Sequence, residues 1–232
     1  MKHLTLLTTL ALLASPVTAQ DELGDFLEAT EAETVSAEAP APAGPKIYSP
    51  KELKEAGGTQ PEITGFPEEV PGLKEVQATG AQGEPMYQFV VRADGSITDV
   101  EAVRSTGSDE LDAVGAAYIE TFEAKVGRDA DGNPIDVRVN LPLSLWIDTL
   151  AKGSLGQKTC GAFVTEADWH LVTFPDSAIN KMRIWNLSTG TLLLASPDGF
   201  KGKRLDAQTV YDICRAEPDR IFFRVFAGLE RP

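Results

Sequence analysis

The chain has 232 residues and carries 35 acidic against 21 basic side chains, a formal net charge of −14. That balance argues against nucleic acid as a ligand and against adhesion to anionic lipid, because both need clustered Lys and Arg.

Residues 1–19 have the pattern of a cleavable secretory signal. Lys2 and His3 precede the apolar run LTLLTTLALLA, and SPVTAQ follows with Val17 and Ala19 as small residues before a cut. The run is shorter than the roughly 20 apolar residues that cross a bilayer; a retained anchor is the alternative. Without the signal, roughly 210 residues remain, room for one large domain or two small ones. Residues 20–45 are expected to be an acidic linker, since DELGDFLEATEAETVSAE has no base and APAPAGP stiffens toward polyproline II.

Residues 46–148 read as the first folded piece. Ser49-Pro50-Lys51-Glu52 has capping-box spacing with Pro in the first turn, and Gly57-Gly58 stops that short helix. PEEVPGLKEVQATG holds another turn or two of helix. MYQFVVRADGSITDVEAV reads as strand, Asp94-Gly95 turn and strand, with a bulge near Asp99 to reconcile Ile97 and Val103 with Val100. Ser108 caps a helix whose first turn holds Asp109 and Glu110. Leu111, Val114, Tyr118, Phe122 and Val126 form its apolar face, and Gly127 its end. RDADGNP then turns into a strand, IDVRVNLPLSLWID, in which Ile135 to Ile147 alternate with Asp136 to Asp148. Pro142 cannot donate to a ladder, so this strand is expected at a sheet edge.

Across residues 87–148 the pieces FVVRADGSITDVEAVRSTG, LDAVGAAYI and DGNPIDVRVNLPLSL, in that order, resemble the C-terminal domain of the TonB family. The resemblance implies a periplasmic setting and capture of a short extended segment of an outer-membrane receptor, or of another envelope protein, by strand addition. It places the partner-binding edge on Arg138, Val139, Asn140, Leu141, Pro142, Leu143, Ser144, Leu145, Trp146 and Ile147, with Arg138, Asn140 and Trp146 as outward contacts. A homodimer through the same edge is a second arrangement.

Residues 149–232 read as a second small α+β domain. DWHLVTF, KMRIWNLS, TLLLAS and DRIFFRVFAGL are taken as strands, with Gly190 in a turn. LDAQTVYDICRA is a helix capped by Asp206 and followed by Pro218. Cys160 and Cys214 are expected to form a disulfide in an oxidising compartment, two buried thiols being the alternative. The fold class is therefore α+β: a small TonB C-terminal-like antiparallel sheet with packed helices, then a disulfide-containing α+β unit.

Reactive constellations are weak. Asp129, Asp131 and Asn133 begin like a calcium loop, but Pro134 and Asn140 stand where Gly and a bidentate acid belong. Lys201, Lys203 and Arg204 lack the Gly and hydroxyl of a phosphate loop. His170, beside Asp168, has no nucleophile elbow to serve. No metal, cofactor or catalysis is expected. The reading is a soluble periplasmic TonB-like binding or adaptor protein. A TonB-type energy transducer with a retained N-terminal anchor, and an enzyme with its site in residues 149–232, are the alternatives.

Overall fold

Residues 46–148, 154–195 and 205–229 are described by a computed structural model of the chain. The expected signal, the expected linker and the basic residues Lys201, Lys203 and Arg204 lie outside these residues. Strand β1 (Ile47–Tyr48) leads into helix α1 (Pro50–Glu55). The Ser49 hydroxyl accepts from the Glu52 amide at 3.2 Å, and the Glu52 carboxylate accepts from the Ser49 amide at 2.8 Å. This is the reciprocal cap that the sequence spacing predicts. After β2 (Glu62–Gly65) and α2 (Leu73–Gln77) comes the hairpin of β3 (Met86–Val91) and β4 (Ile97–Arg104).

The expected bulge is present. Pairing passes from Gln88–Glu101 to Val90–Thr98, so β4 has one residue more than β3, and Asp99 takes a φ of 56°. A second bulge separates Met86–Arg104 from Tyr87–Ala102. Arg92 secures the hairpin: its guanidinium donates to Asp136 at 2.8 Å and Asp99 at 2.6 Å, and its Nε donates to the Thr98 hydroxyl at 2.8 Å.

Helix α3 (Asp109–Ile119) begins at Ser108, whose hydroxyl accepts from the Leu111 amide. It ends well before Gly127. The chain turns at Thr121 and Phe122, and continues as β5 (Glu123–Lys125), β6 (Gly127–Arg128) and β7 (Pro134–Pro142). Phe122 reaches the core by this turn, edge-on to Tyr118 with ring centroids 4.8 Å apart, so apolar spacing carried past the helix that generated it. Gly127 serves a close approach instead of a helix stop, since a Cβ there would lie 2.6 Å from the Val137 side chain.

The main sheet runs β1-β7-β3-β4, with β6 against the start of β7; β2 and β5 form a separate ribbon. The sheet is mixed, because β1 pairs in parallel with β7. Tyr87, Phe89 and Val91 of β3 pack with Tyr118, Ile119 and Phe122. The Tyr87 hydroxyl donates to the Asp112 carbonyl at 2.8 Å, directly over Gly115. A Cβ at Gly115 would stand 2.1 Å from that oxygen, so residue 115 sets how closely α3 lies on the sheet.

The fold is α+β, but the C-terminal region is helical. The segments read as strands are α4 (Cys160–Thr173), α5 (Arg183–Ala195) and α7 (Phe222–Phe226), and Gly190 lies inside α5. Their buried residues fall at helical spacing: Cys160, Phe163 and Ala167 in α4, and Phe222, Val225 and Phe226 in α7. The Thr159 hydroxyl accepts from the Ala162 amide and starts α4. Helix α6 (Ala207–Ala216) has Asp206 as its cap, as expected. Cys214 and Cys160 are disulfide-bonded, with Cα atoms 4.5 Å apart, inside one core with Phe163, Trp185 and Phe226.

Two stability tests follow from this packing. Gly115→Ala is expected to destabilise the fold by about 1–3 kcal/mol through overpacking. In urea denaturation its cost is smaller in a Tyr87→Phe background, which lacks the obstructing oxygen. Replacing Cys160 and Cys214 together by Ser is expected to lower the unfolding free energy by about 4 kcal/mol, the entropy-model value for a loop of this length.

Candidate functional site

The border of β7 is defined by its register. Leu143 and Leu145 donate their amides to the Pro85 and Gly83 carbonyls at 3.0 and 2.9 Å, and β3 residues 86–91 face β7 residues 142–137. Alternation in an antiparallel pair then turns the odd positions of β7 toward β3 and the even positions to the opposite border. On that border β1 occupies only Asp136 and Val137. Because Val137 faces β3, its bridge to Tyr48 runs through the Asp136 carbonyl and the Arg138 amide, so β7 is not the outermost strand that its proline predicted but is covered by β1 at its start. Beyond the Arg138 amide, no backbone among the described residues pairs there. Arg138, Asn140, Pro142 and Ser144 are all exposed. Pro142 therefore sits where an N–H would have pointed away from β3, which is why the ladder accommodates it.

Of the ten residues expected on the edge, those from Arg138 to Ser144 line this border. Val139, Leu141 and Leu143 turn their side chains into the sheet's core. The last three lead away from it. Leu145 is buried with Ala81 and Leu111. Trp146 is half-buried beneath the Arg183 guanidinium, 4.8 Å from its ring centroid, and Ile147 is half-buried. The opposite border of the sheet, β4, carries both bulges and the left-handed Asp99, so it is a poor template for another strand.

The remaining candidates have structural roles. Asp129 accepts from the amides of Asp131 and Asn133 at 2.9 and 2.8 Å and from the Asn133 side chain, which closes the turn before β7. His170 Nε2 lies 2.9 Å from the Ser177 hydroxyl in a turn, and burial pulls its pKa below the ordinary value, opposed by the Ala178 backbone.

The family model described as Gram-negative bacterial TonB protein C-terminal matches residues 74–144. Residues 74–144 are a TonB C-terminal domain. The TonB domain runs from α2 to just past β7 and includes the free border, while α1 and the helical region lie beyond the match. This family implies the cell envelope and interaction with outer-membrane receptors, and its members are typically non-enzymatic transducers. No curated protein and no solved structure matched the chain.

A charged network, not anticipated from the sequence, joins the TonB domain to the helices. The Lys158 ammonium donates to both Asp148 oxygens at 3.0 and 2.9 Å and to Glu166, while Gln82 donates to Glu166 at 3.2 Å. These three charged side chains are 3–5% exposed. Their separation along the chain left no local spacing to detect. Two carboxylates share one ammonium, and burial pushes the Glu166 carboxyl from 4.5 up to about 7, with Lys158 opposing and Asp148 adding to the rise. Between those values the unfolded chain has already lost a proton that the folded chain still holds. This group's contribution to stability is therefore fully present below 4.5 and is lost as pH rises through about 7. Glu166→Gln is expected to remove that loss: thermal melts should show the variant gaining more on the wild type above pH 7 than near pH 4.5.

Proposed function

We propose that the chain is a periplasmic TonB-like binding protein that captures an extended segment of an outer-membrane receptor, or of another envelope protein, along the free border of β7. The observation that carries this reading is the stretch Arg138–Ser144, whose even-numbered residues are exposed and whose outward backbone groups, from the Arg138 carbonyl onward, are unpaired among the described residues. An extended peptide completes such a border with main-chain hydrogen bonds, and alternate side chains supply selectivity. Asn140 offers both N–H and C=O; Arg138, whose amide faces Tyr48, and Pro142 offer C=O alone. The exposed Arg138 guanidinium adds a cation for an acidic or carbonyl-rich guest. A second copy of the chain satisfies the same groups by pairing edge to edge. The signal-like residues 1–19 support export, with cleavage leaving the binding unit unanchored.

The register selects the test. Leu143→Pro would break the bond to Pro85 inside the sheet, whereas Asn140→Pro removes an outward N–H and leaves the β3 ladder intact. Tagged full-length chain with Asn140→Pro is expected to recover roughly tenfold less envelope partner in co-purification, about 1.4 kcal/mol of binding. Asn140→Ala should bind close to wild type, and circular dichroism should show both variants folded. A folded Asn140→Pro chain that captures the partner undiminished overturns the reading. Mass spectrometry of the exported protein is expected to find an N-terminus at Gln20.

A further inference from the structure

A cleft of about 360 Å³ lies where the TonB domain meets the helical region, and its volume is in the range of small-molecule sites. Trp146, Trp169 and Phe174 give it apolar walls, and Arg104, Lys181 and Arg183 bring three cations to it. Glu84 is the single acid of this lining, in a protein whose net charge is −14. Lys181 has no ion-pair partner among the described residues, and Arg104 donates only to the Glu84 carbonyl, at 3.1 Å. The unusual feature is a set of orphaned polar atoms. Among the described residues, Trp146 Nε1, Arg183 Nε and Gln82 Oε1 are all buried without a hydrogen-bond partner, and Gln82 as a whole is 7% exposed. Buried groups of this kind are costly when unsatisfied, so their gathering at one cleft calls for a ligand or a solvent network.

The chemistry of the orphans defines what fits. Two N–H donors beside cations suit a carboxylate, which accepts from Arg and indole together. An amide acceptor suits an N–H. Aromatic walls suit an apolar body. We propose that this cleft binds an N-acylated amino acid with an apolar side chain, whether as a free molecule or as the carboxyl-terminal residue of a peptide. The carboxylate lies against the Arg183 guanidinium and Lys181, the side chain packs on the aromatic walls, and the covered Trp146 and Gln82 atoms meet the carboxylate and its adjacent N–H once these side chains turn toward the guest. This site is separate from the β7 border and does not depend on strand capture there.

Isothermal titration of the full chain with N-acetylphenylalanine and with acetyl-Ala-Ala-Phe, each against its carboxamide, tests the proposal. Saturable binding of the acids, roughly tenfold tighter than of the amides, is expected. Lys181→Gln, at an exposed position, and Arg183→Gln should each weaken the acids roughly threefold or more and leave the amides unchanged. A tighter tripeptide assigns the site to chain termini, and equal affinities assign it to the free amino-acid derivative; both support the cleft. Absence of saturation by either acid, equal binding of acid and amide, or acid binding unchanged in folded Lys181→Gln and Arg183→Gln overturns it.

Discussion

The pairing register between β3 and β7 is the constraint from which most of the molecule follows. It sends Tyr87, Phe89 and Val91 to the same core as Val139, Leu141 and Leu143. It also decides which backbone groups of β7 are spent inside the sheet and which face outward. A slip by one residue would exchange the two sets and bury Arg138 and Asn140. Two contacts pin it, the Arg92–Asp136 pair at one end and the Gly83–Leu145 bridge at the other, while the Tyr87–Asp112 bond seats α3 on β3 over Gly115.

Beyond Leu145 the same strand direction delivers Trp146 and Asp148 to the helices. There the connection between the two parts is apolar at Trp169, which packs with the cluster of Ala81, Leu111 and Leu145, and ionic at Lys158. Breaking such a buried pair on one side leaves an uncompensated charge, so loss of any one member is felt by the others. The helical core carries its own staple in Cys160–Cys214 and its own aromatic packing, with Phe163 and Phe222 stacked at 4.4 Å. Each part thus has an interior, and the charged contact orients one against the other.

The first part was legible in the sequence because its signals are local. The Ser49–Glu52 box, the Asp94-Gly95 hairpin, the Asp99 bulge, the Ser108 cap and the Pro142 border each rest on residues a few positions apart, and the order of these pieces carried the family resemblance. The helices of the second part were misread because short windows such as DWHLVTF and KMRIWNLS are too brief to separate a period of two from one of 3.6. Over the full length of α4, Cys160, Phe163 and Ala167 give the helical period, and Thr159 was a usable start signal. Strand parity makes Trp146 an outward residue, but the pairing with β3 ends at Leu145 and Trp146 lies beneath the Arg183 guanidinium. The Lys158 network and the orphaned atoms of the cleft depend on tertiary contact alone.

The two bulges of β4 have a bearing on assembly. A flat sheet with two matching rims can recruit copies without limit, which is how fibres grow. Among the described residues of this sheet only the β7 rim has an unbulged run of outward groups. If the proposed addition takes place there, by a guest segment or by a twin molecule related by a twofold axis, it consumes that rim and leaves none to continue from. The proposed stoichiometry is thereby capped at one guest or one symmetric pair, without polymerisation through the sheet.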